Sequence, residues 1–173
     1  MIVYRIGKTK HADDLSGEGS KLFGGRWNHK LTPCIYTSES RALAVLEYTV
    51  NINIEEIPRA LSITSIEIPS AAIQIITEAA LPGNWKRVPA PSSTKDFGTQ
   101  LLKAGAGKKG KSILKIPSSV ISEEYNYILN PLHTESNFFK IVDIQDFVYD
   151  VRIKSTLFPG RELKSSIETP VNN

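Results

Sequence analysis

Residues able to grip and polarise a charged ligand gather near the start of the chain. Gly24-Gly25-Arg26-Trp27-Asn28 is followed by Ile35-Tyr36-Thr37-Ser38 and then by Ala44-Val45-Leu46-Glu47. Two glycines permit backbone conformations closed to other residues, which suits close approach to a ligand. Arg26 offers a planar fork for phosphate. Tyr36 offers a stacking face and a hydroxyl, and Glu47 a lone carboxylate. Taken singly, each is more often an ion-pair partner, a core aromatic or a solvated helix residue. Together they can hold an anionic, ring-bearing ligand and stabilise one positive charge on it, which specifies a nucleotide.

The elements that must position this set follow from periodicity. Ile2 to Ile6 reads as a strand, and Thr9 to Lys21, polar and glycine-containing, as loop. Leu31 to Thr37 reads as strand. Ser38 to Val50 carries Ala42, Val45, Leu46 and Thr49 at helical spacing, with Ser38 or Ser40 as cap. Ala60 to Ile68 alternates with β-branched residues, the pattern of a half-buried strand, and Pro69 stops it. Ile73 to Ile76 is short and apolar, and Pro82-Gly83-Asn84-Trp85 is a turn. Ser93 to Leu102 reads as a helix capped by Ser93 or Thr94. Ile113 to Ile116, Phe138 to Ile144 and Phe147 to Ile153 read as strands. Many short strands with few helices imply an α+β fold with a mixed or antiparallel sheet.

A length of 173 residues suits one compact domain, here residues 1–154. The polar stretch from 155 to 173 is expected to be loosely ordered. Hydrophobic content of 40% and charged content of 23% are those of a soluble globular protein. No apolar run approaches a membrane span, and Met1-Ile2-Val3-Tyr4-Arg5 does not open a signal peptide. The single cysteine, Cys34, excludes an intrachain disulfide and fits a reducing cytoplasm. It reads as a small buried hydrophobe. A net charge of +3 and the lack of a basic recognition helix argue against direct DNA binding. Lys103, Lys108, Lys109, Lys111 and Lys115 read as a solvated loop, with a phosphate or acidic partner as the sharper alternative.

Gly105-Ala106-Gly107-Lys108-Lys109-Gly110-Lys111-Ser112 matches the phosphate-loop pattern letter for letter. That motif needs a buried strand before it and a helix after it. Here the expected order is helix, loop, strand, and Pro117 forbids a long helix. A nucleoside-triphosphate binder built on this loop is therefore an alternative reading, as is a module that holds a nucleotide without cleaving it.

The ordered set Tyr4-Arg5-Ile6, Ser16-Gly17-Glu18-Gly19, Gly24 to Asn28, Ile35 to Ser38, Leu46-Glu47, Pro82 to Trp85, Ile116-Pro117-Ser118, Asn126 to His133 and Asp150-Val151-Arg152 resembles the RES-domain family. These are the toxins of bacterial toxin–antitoxin pairs, named for an Arg, a Glu and a Ser. The resemblance runs from Tyr4 to about Arg152. It implies a fold related to ADP-ribosyltransferases, NAD⁺ as substrate rather than cofactor, a helix-turn-helix (Xre-like) antitoxin as partner, and a homodimer. The naming residues fall on Arg26, Glu47 and Ser118. Tyr36 joins them in the catalytic set, and Arg5, Gly25, Trp27, Asn126 and Asn130 are the candidate substrate-binding residues. Asn126, Asn130 and His133 are expected to fix a loop behind the site.

The chemistry suits one carboxylate. Nicotinamide leaves NAD⁺ as a neutral molecule, so no general acid is needed, whereas ordinary glycosidases pair two carboxyls because their leaving oxygen takes a proton. Glu47 would stabilise the oxocarbenium ion. Arg26 would clamp the pyrophosphate with Arg5 as second cation. Tyr36 would stack on or hydrogen-bond the ribose, and Ser118 would orient either Glu47 or the nicotinamide amide. No His, Cys and carboxylate cluster has ligand spacing, so no metal is expected.

Overall fold

The computed structural model describes residues 1–107, 110–150 and 152–155. The elements in chain order are β1 (Ile2–Lys8), α1 (Glu18–Phe23), β2 (Ile35–Ser38), α2 (Arg41–Asn51), β3 (Leu61–Glu67), β4 (Ile73–Ile75), α3 (Ser92–Ala104), β5 (Ile113–Pro117), β6 (Tyr125–Leu129), β7 (Lys140–Phe147) and α4 (Arg152–Ser155). The strands form one sheet in the order β4-β5-β6-β2-β1-β3-β7. Among the described pairs only β4 and β5 run parallel. The fold is thus α+β with a mixed sheet, as expected.

Period-two alternation buries both faces of the β5–β6 region. Ile113, Tyr127 and Leu129 join Val3, Ile35, Ile66 and Phe139 on one side. Leu114, Ile116 and Ile128 join Trp27, Trp85 and Leu102 on the other, where α3 packs. Gly98 makes that packing close: a Cβ there would sit 2.1 Å from the Trp27 carbonyl oxygen.

The sheet has one weak seam. β1 pairs with β3 from Ile2↔Glu67 to Lys8↔Leu61, and β2 pairs with β6 from Ile35↔Leu129 to Ser38↔Asn126. Between β1 and β2 a single pair forms, Tyr4↔Ser38. Beyond that pair the strands part, so the backbone edges facing the gap have no strand partner. Unpaired backbone groups demand another partner, water or ligand. A cavity opens along this gap.

Several elements differ from expectation. Residues 9–21 were expected as loop, yet Glu18–Phe23 is helical, ended by Gly24 at φ 73°. Tyr125–Leu129 is a strand that the sequence analysis did not identify. Among its described residues the Phe147 to Ile153 stretch forms no separate strand: β7 ends at Phe147, and Arg152 begins a helical turn. α3 starts after Pro91 with no side-chain cap. Ser93 Oγ instead donates to Asn84 Oδ1 at 2.9 Å, and Thr94 Oγ1 is buried with no partner among the described residues. The stretch expected to be loosely ordered lies, from Thr156 onward, outside the described residues.

Candidate active site

α2 brings Glu47 to the seam. Ser40 caps the helix, its hydroxyl accepting from the Leu43 N–H at 3.0 Å. Leu43 and Ala44 face inward. Ala44, Glu47, Tyr48 and Asn51 then share one stripe, because positions three and four apart are neighbours on a helix. All four line a cavity of about 240 Å³. Its opposite wall is Tyr4, Arg5 and Ile6 from β1, with Tyr36, Thr37 and Ser38 from β2 and Asn126 from β6. Glu47 is the one carboxylate among these residues.

A short hydrogen-bond chain fixes that carboxylate. Ser118, fully buried just after β5, accepts at Oγ from the N–H groups of Val120 (3.0 Å) and Ile121 (3.1 Å). With both lone pairs occupied, its proton is directed to Glu47 Oε1, 2.7 Å away. From the other side, Ser38 Oγ donates to Asn126 Oδ1 at 2.7 Å, which turns the Asn126 amide nitrogen toward Glu47. Asn126 Nδ2 donates to the same Oε1. Oε1 therefore carries two donors, while Oε2 has no partner among the described residues. One oxygen is anchored and the other is open to a ligand.

The aromatic and basic residues divide into those at the cavity and those behind it. Tyr36 lines the cavity. Its hydroxyl is enclosed, accepting from the Trp27 N–H at 2.9 Å and donating to Asn28 Oδ1 at 2.7 Å. Burial pushes that phenol well above the usual tyrosine range. Gly25 makes room for it: a Cβ there would lie 2.5 Å from the Tyr36 hydroxyl oxygen. The glycine pair thus serves a helix end and a phenol, in place of the expected approach to a ligand. Trp27 is only 2% exposed and packs against Trp85 and Phe97, so it is core and does not reach the cavity.

Arg26 donates to the carbonyls of Trp85 (2.6 Å) and Arg87 (3.1 Å) and lines neither cavity of the seam. Burial lowers its pKa, and the field of nearby Glu47 opposes that shift. The geometry thus makes it a loop anchor within electrostatic reach of Glu47. Arg5 does line the seam. It donates to the carbonyls of Asp14 (2.6 Å), Ala12 (2.9 Å) and His11 (3.2 Å), which pins the loop after β1. Burial lowers its pKa as well, against the pull of Asp14 and Asp13. Arg5, Ile6 and Tyr36 also line an adjoining cavity of about 860 Å³ beneath α1.

Asn126 departs from the expectation of a loop behind the site, because it stands on β6 inside the cavity wall. Asn130 fits that expectation better. It donates to the Leu102 carbonyl at 2.8 Å and accepts from the Leu132 N–H at 3.1 Å, away from the seam. His133 is 4% exposed; its Nδ1 accepts from the Glu135 N–H, and its Nε2 has no partner among the described residues. Cys34 is buried, and burial pushes its thiol up to about 11. Among the described residues no group of three or more His, Cys, Asp or Glu is placed to hold a metal. No described helix is long and apolar enough to cross a membrane.

The glycine–lysine loop is not a phosphate loop. It follows α3 and precedes β5, the reverse of the required strand–loop–helix. Ser112 Oγ is buried, and Lys111 Nζ donates to the Ala71 carbonyl at 2.7 Å.

Sequence reasoning passed over Tyr4, Thr37, Ser38, Tyr48 and Asn51 as cavity residues. The signal for the last two was present, since they lie one and four positions beyond Glu47 on a helical face. That for Tyr4 and Ser38 was not, because their juxtaposition depends on the single β1–β2 pair.

Comparison with known proteins agrees with this architecture. A solved structure of the Mycobacterium tuberculosis MbcT–MbcA toxin–antitoxin complex superposes with a TM-score of 0.69 at 20% identity, over 84% of this chain and 83% of that one, which shows a shared fold. An NAD(+) phosphorylase MbcT of Mycobacterium tuberculosis (strain ATCC 25618 / H37Rv) is 38% identical over 68 residues, 39% of this chain and 33% of that protein. A Prs ADP-ribosylating toxin of Sphingobium sp. (strain YBL2) is 35% identical over 149 residues, 84% of this chain and 90% of that protein. The model of the RES domain matches residues 2–150, and with the seam, the anchored Glu47 and these likenesses in place, the chain belongs to the RES domain family.

Proposed function

We propose that this chain is the toxin of a toxin–antitoxin pair and that it breaks the nicotinamide–ribose bond of NAD⁺. The observation that carries the reading is the Glu47 carboxylate: alone in its cavity, Oε1 held by Ser118 and Asn126, Oε2 open. The names of the relatives, an ADP-ribosylating toxin and an NAD(+) phosphorylase, support it.

The bond from the ribose C1′ to the nicotinamide nitrogen breaks heterolytically. The electron pair goes to the nitrogen, whose positive charge it cancels, so nicotinamide departs without a proton. Positive charge develops on the ribose. Glu47 Oε2 holds a ribose hydroxyl and the carboxylate faces the growing cation, a fixed charge where the transition state needs it. Tyr36 packs its ring against the sugar, because its hydroxyl is already engaged. Arg5 meets the pyrophosphate with the N–H groups that the loop carbonyls leave over. Arg26 acts through the loop it anchors and through its field on Glu47, not as the direct clamp expected from sequence. The acceptor then adds to C1′ and loses its proton. Water gives hydrolysis, inorganic phosphate gives phosphorolysis, and a side chain of another molecule gives ADP-ribosyl transfer.

The chemistry requires no resident cofactor. The partner fitting this reading is an antitoxin that carries its own helix-turn-helix and leaves DNA binding to itself; a homodimer of the toxin fits the same assembly. Induced expression in a bacterial host tests the reading. Growth arrest with a fall in cellular NAD⁺, both lost in Glu47→Gln and both relieved by the neighbouring antitoxin gene, is the expected result. Full arrest by Glu47→Gln would overturn it.

A further inference from the structure

The cavity at Glu47, about 240 Å³, is smaller than the 300–1,000 Å³ of sites that enclose a drug-sized ligand, and a dinucleotide is larger still. The adjoining cavity is about 860 Å³ and shares Arg5, Ile6 and Tyr36 with it. Arg5 and Tyr36 stand where the two adjoin, a waist between the chambers.

The far chamber has an unusual wall. Leu22 and Phe23 of α1 line it, and Phe23 is 79% exposed. An aromatic ring left in water on a mobile segment would mean little, but α1 is firmly tied. Ser20 Oγ donates to the Cys34 carbonyl at 2.6 Å and accepts from the Cys34 N–H at 2.8 Å. The Leu31 N–H donates to the Lys21 carbonyl at 2.8 Å, and Gly24 closes the helix onto Ser20. A Cβ at Gly17 would lie 2.8 Å from the Cys34 backbone, so α1 seats directly on β2. The fold therefore holds α1, with the exposed Phe23 in the chamber wall, in a fixed position.

The charge around the chamber is suited to an anion. Arg5, Lys8 and Lys10 outnumber its two acids, Asp14 and Glu18, and Glu18 pairs with Lys21 at 3.0 Å. Lys8 and Lys10, which also line it, form no ion pair among the described residues. Aromatic faces bind nucleobases by stacking, and free lysines attract the phosphates beside them.

We infer that the chamber beneath α1 seats the adenosine end of NAD⁺, with the adenine on Phe23 and the pyrophosphate crossing the waist at Arg5. This rests on the NAD⁺ reading above but assigns residues and a cavity that the reaction at Glu47 does not require. It makes the enzyme selective for the dinucleotide over nicotinamide mononucleotide, which ends before the chamber.

The test is calorimetric titration of the full chain with ADP-ribose, together with steady-state nicotinamide release from NAD⁺ and from nicotinamide mononucleotide. Phe23→Ala is expected to weaken ADP-ribose binding about tenfold, raise the KM for NAD⁺ by a similar factor and erode selectivity over the mononucleotide; Phe23→Trp restores all three. Val148→Ala, an exposed apolar change lining neither cavity, is the control. Nicotinamide release with ADP-ribose affinity and KM indifferent to Phe23→Ala would overturn the chamber and leave the reaction standing. ADP-ribose bound through Phe23 without nicotinamide release would uphold the chamber and overturn the reaction. No ADP-ribose binding by the unaltered chain at millimolar concentration would overturn the chamber whatever the turnover.

Discussion

Two regions of this molecule invite a nucleotide, and they are built in opposite ways. Gly105 to Ser112 is contiguous and matches a phosphate-binding pattern at every position, yet it joins a helix to a strand, hides its serine and ties Lys111 to a backbone carbonyl. The seam site is scattered: Ser38, Glu47, Ser118 and Asn126 come from β2, α2, the turn after β5, and β6, and meet within hydrogen-bond distance. A phosphate loop works because a helix N-terminus points its free N–H groups at the ligand. Without that direction the same letters aim no helix N-terminus at an anion. In the proposed reading the seam serves instead because β1 and β2 part after one pair and α2 lays a carboxylate over the gap.

The contrast can be broken most sharply at Glu47. Glu47→Gln keeps the shape and the capacity to accept at Oε1 but removes the charge. Nicotinamide release is expected to fall by about a thousandfold or more with an unchanged melting temperature, measured by a coupled nicotinamide assay and thermal unfolding. Next comes Ser118→Ala. It removes a donor to Glu47 and strands the N–H groups of Val120 and Ile121. Turnover should fall about a hundredfold, and urea unfolding should show a loss of about 1 kcal/mol, the lower end of the cost of unsatisfied donors because these are half-buried.

A smaller effect separates contact from positioning. Ser38 does not touch Glu47; it orients Asn126. Ser38→Ala should cost about tenfold in kcat with little change in KM, and nothing further in an Asn126→Ala background, because the two act in series. Additive losses in that double-mutant cycle would give Ser38 an independent role. The smallest effects belong to the glycine–lysine loop. Lys111→Ala should leave nicotinamide release within a factor of two and stability within about 0.5 kcal/mol. Cys34 offers a quiet control within the wall of the far chamber. With its thiol pushed up to about 11, the neutral form dominates at pH 8, so alkylation of the folded chain followed by mass spectrometry should be far slower than of the unfolded chain.

The sequence made the chemistry easier to read than the scaffold. Glu47 on a capped helix was accessible from motif and periodicity, whereas Ser118 came from the family resemblance, which left it either Glu47 or the nicotinamide amide to orient. Asn126 was recognised as a candidate, but its strand was not, because asparagine is depleted in strands and Asn126 interrupts an otherwise β-favouring stretch of five residues. α1 was invisible because six residues between glycines are too few to display a helical period. Gly25 and Trp27 were legible as special residues but not as what they are, since only the packed structure shows that the glycine accommodates Tyr36 and that the indole faces Trp85. The seam itself lies in no motif: it depends on β1 and β2 pairing once, which is a property of the whole sheet.

The most direct measurement is nicotinamide release from NAD⁺ by the purified chain, with and without inorganic phosphate, compared among the unaltered protein, Glu47→Gln and Lys111→Ala. Release by the unaltered protein and by Lys111→Ala, with loss in Glu47→Gln, is the predicted result, and a requirement for phosphate would identify the acceptor. Release that survives Glu47→Gln, or that vanishes with Lys111→Ala, would contradict the assignment of catalysis to the seam.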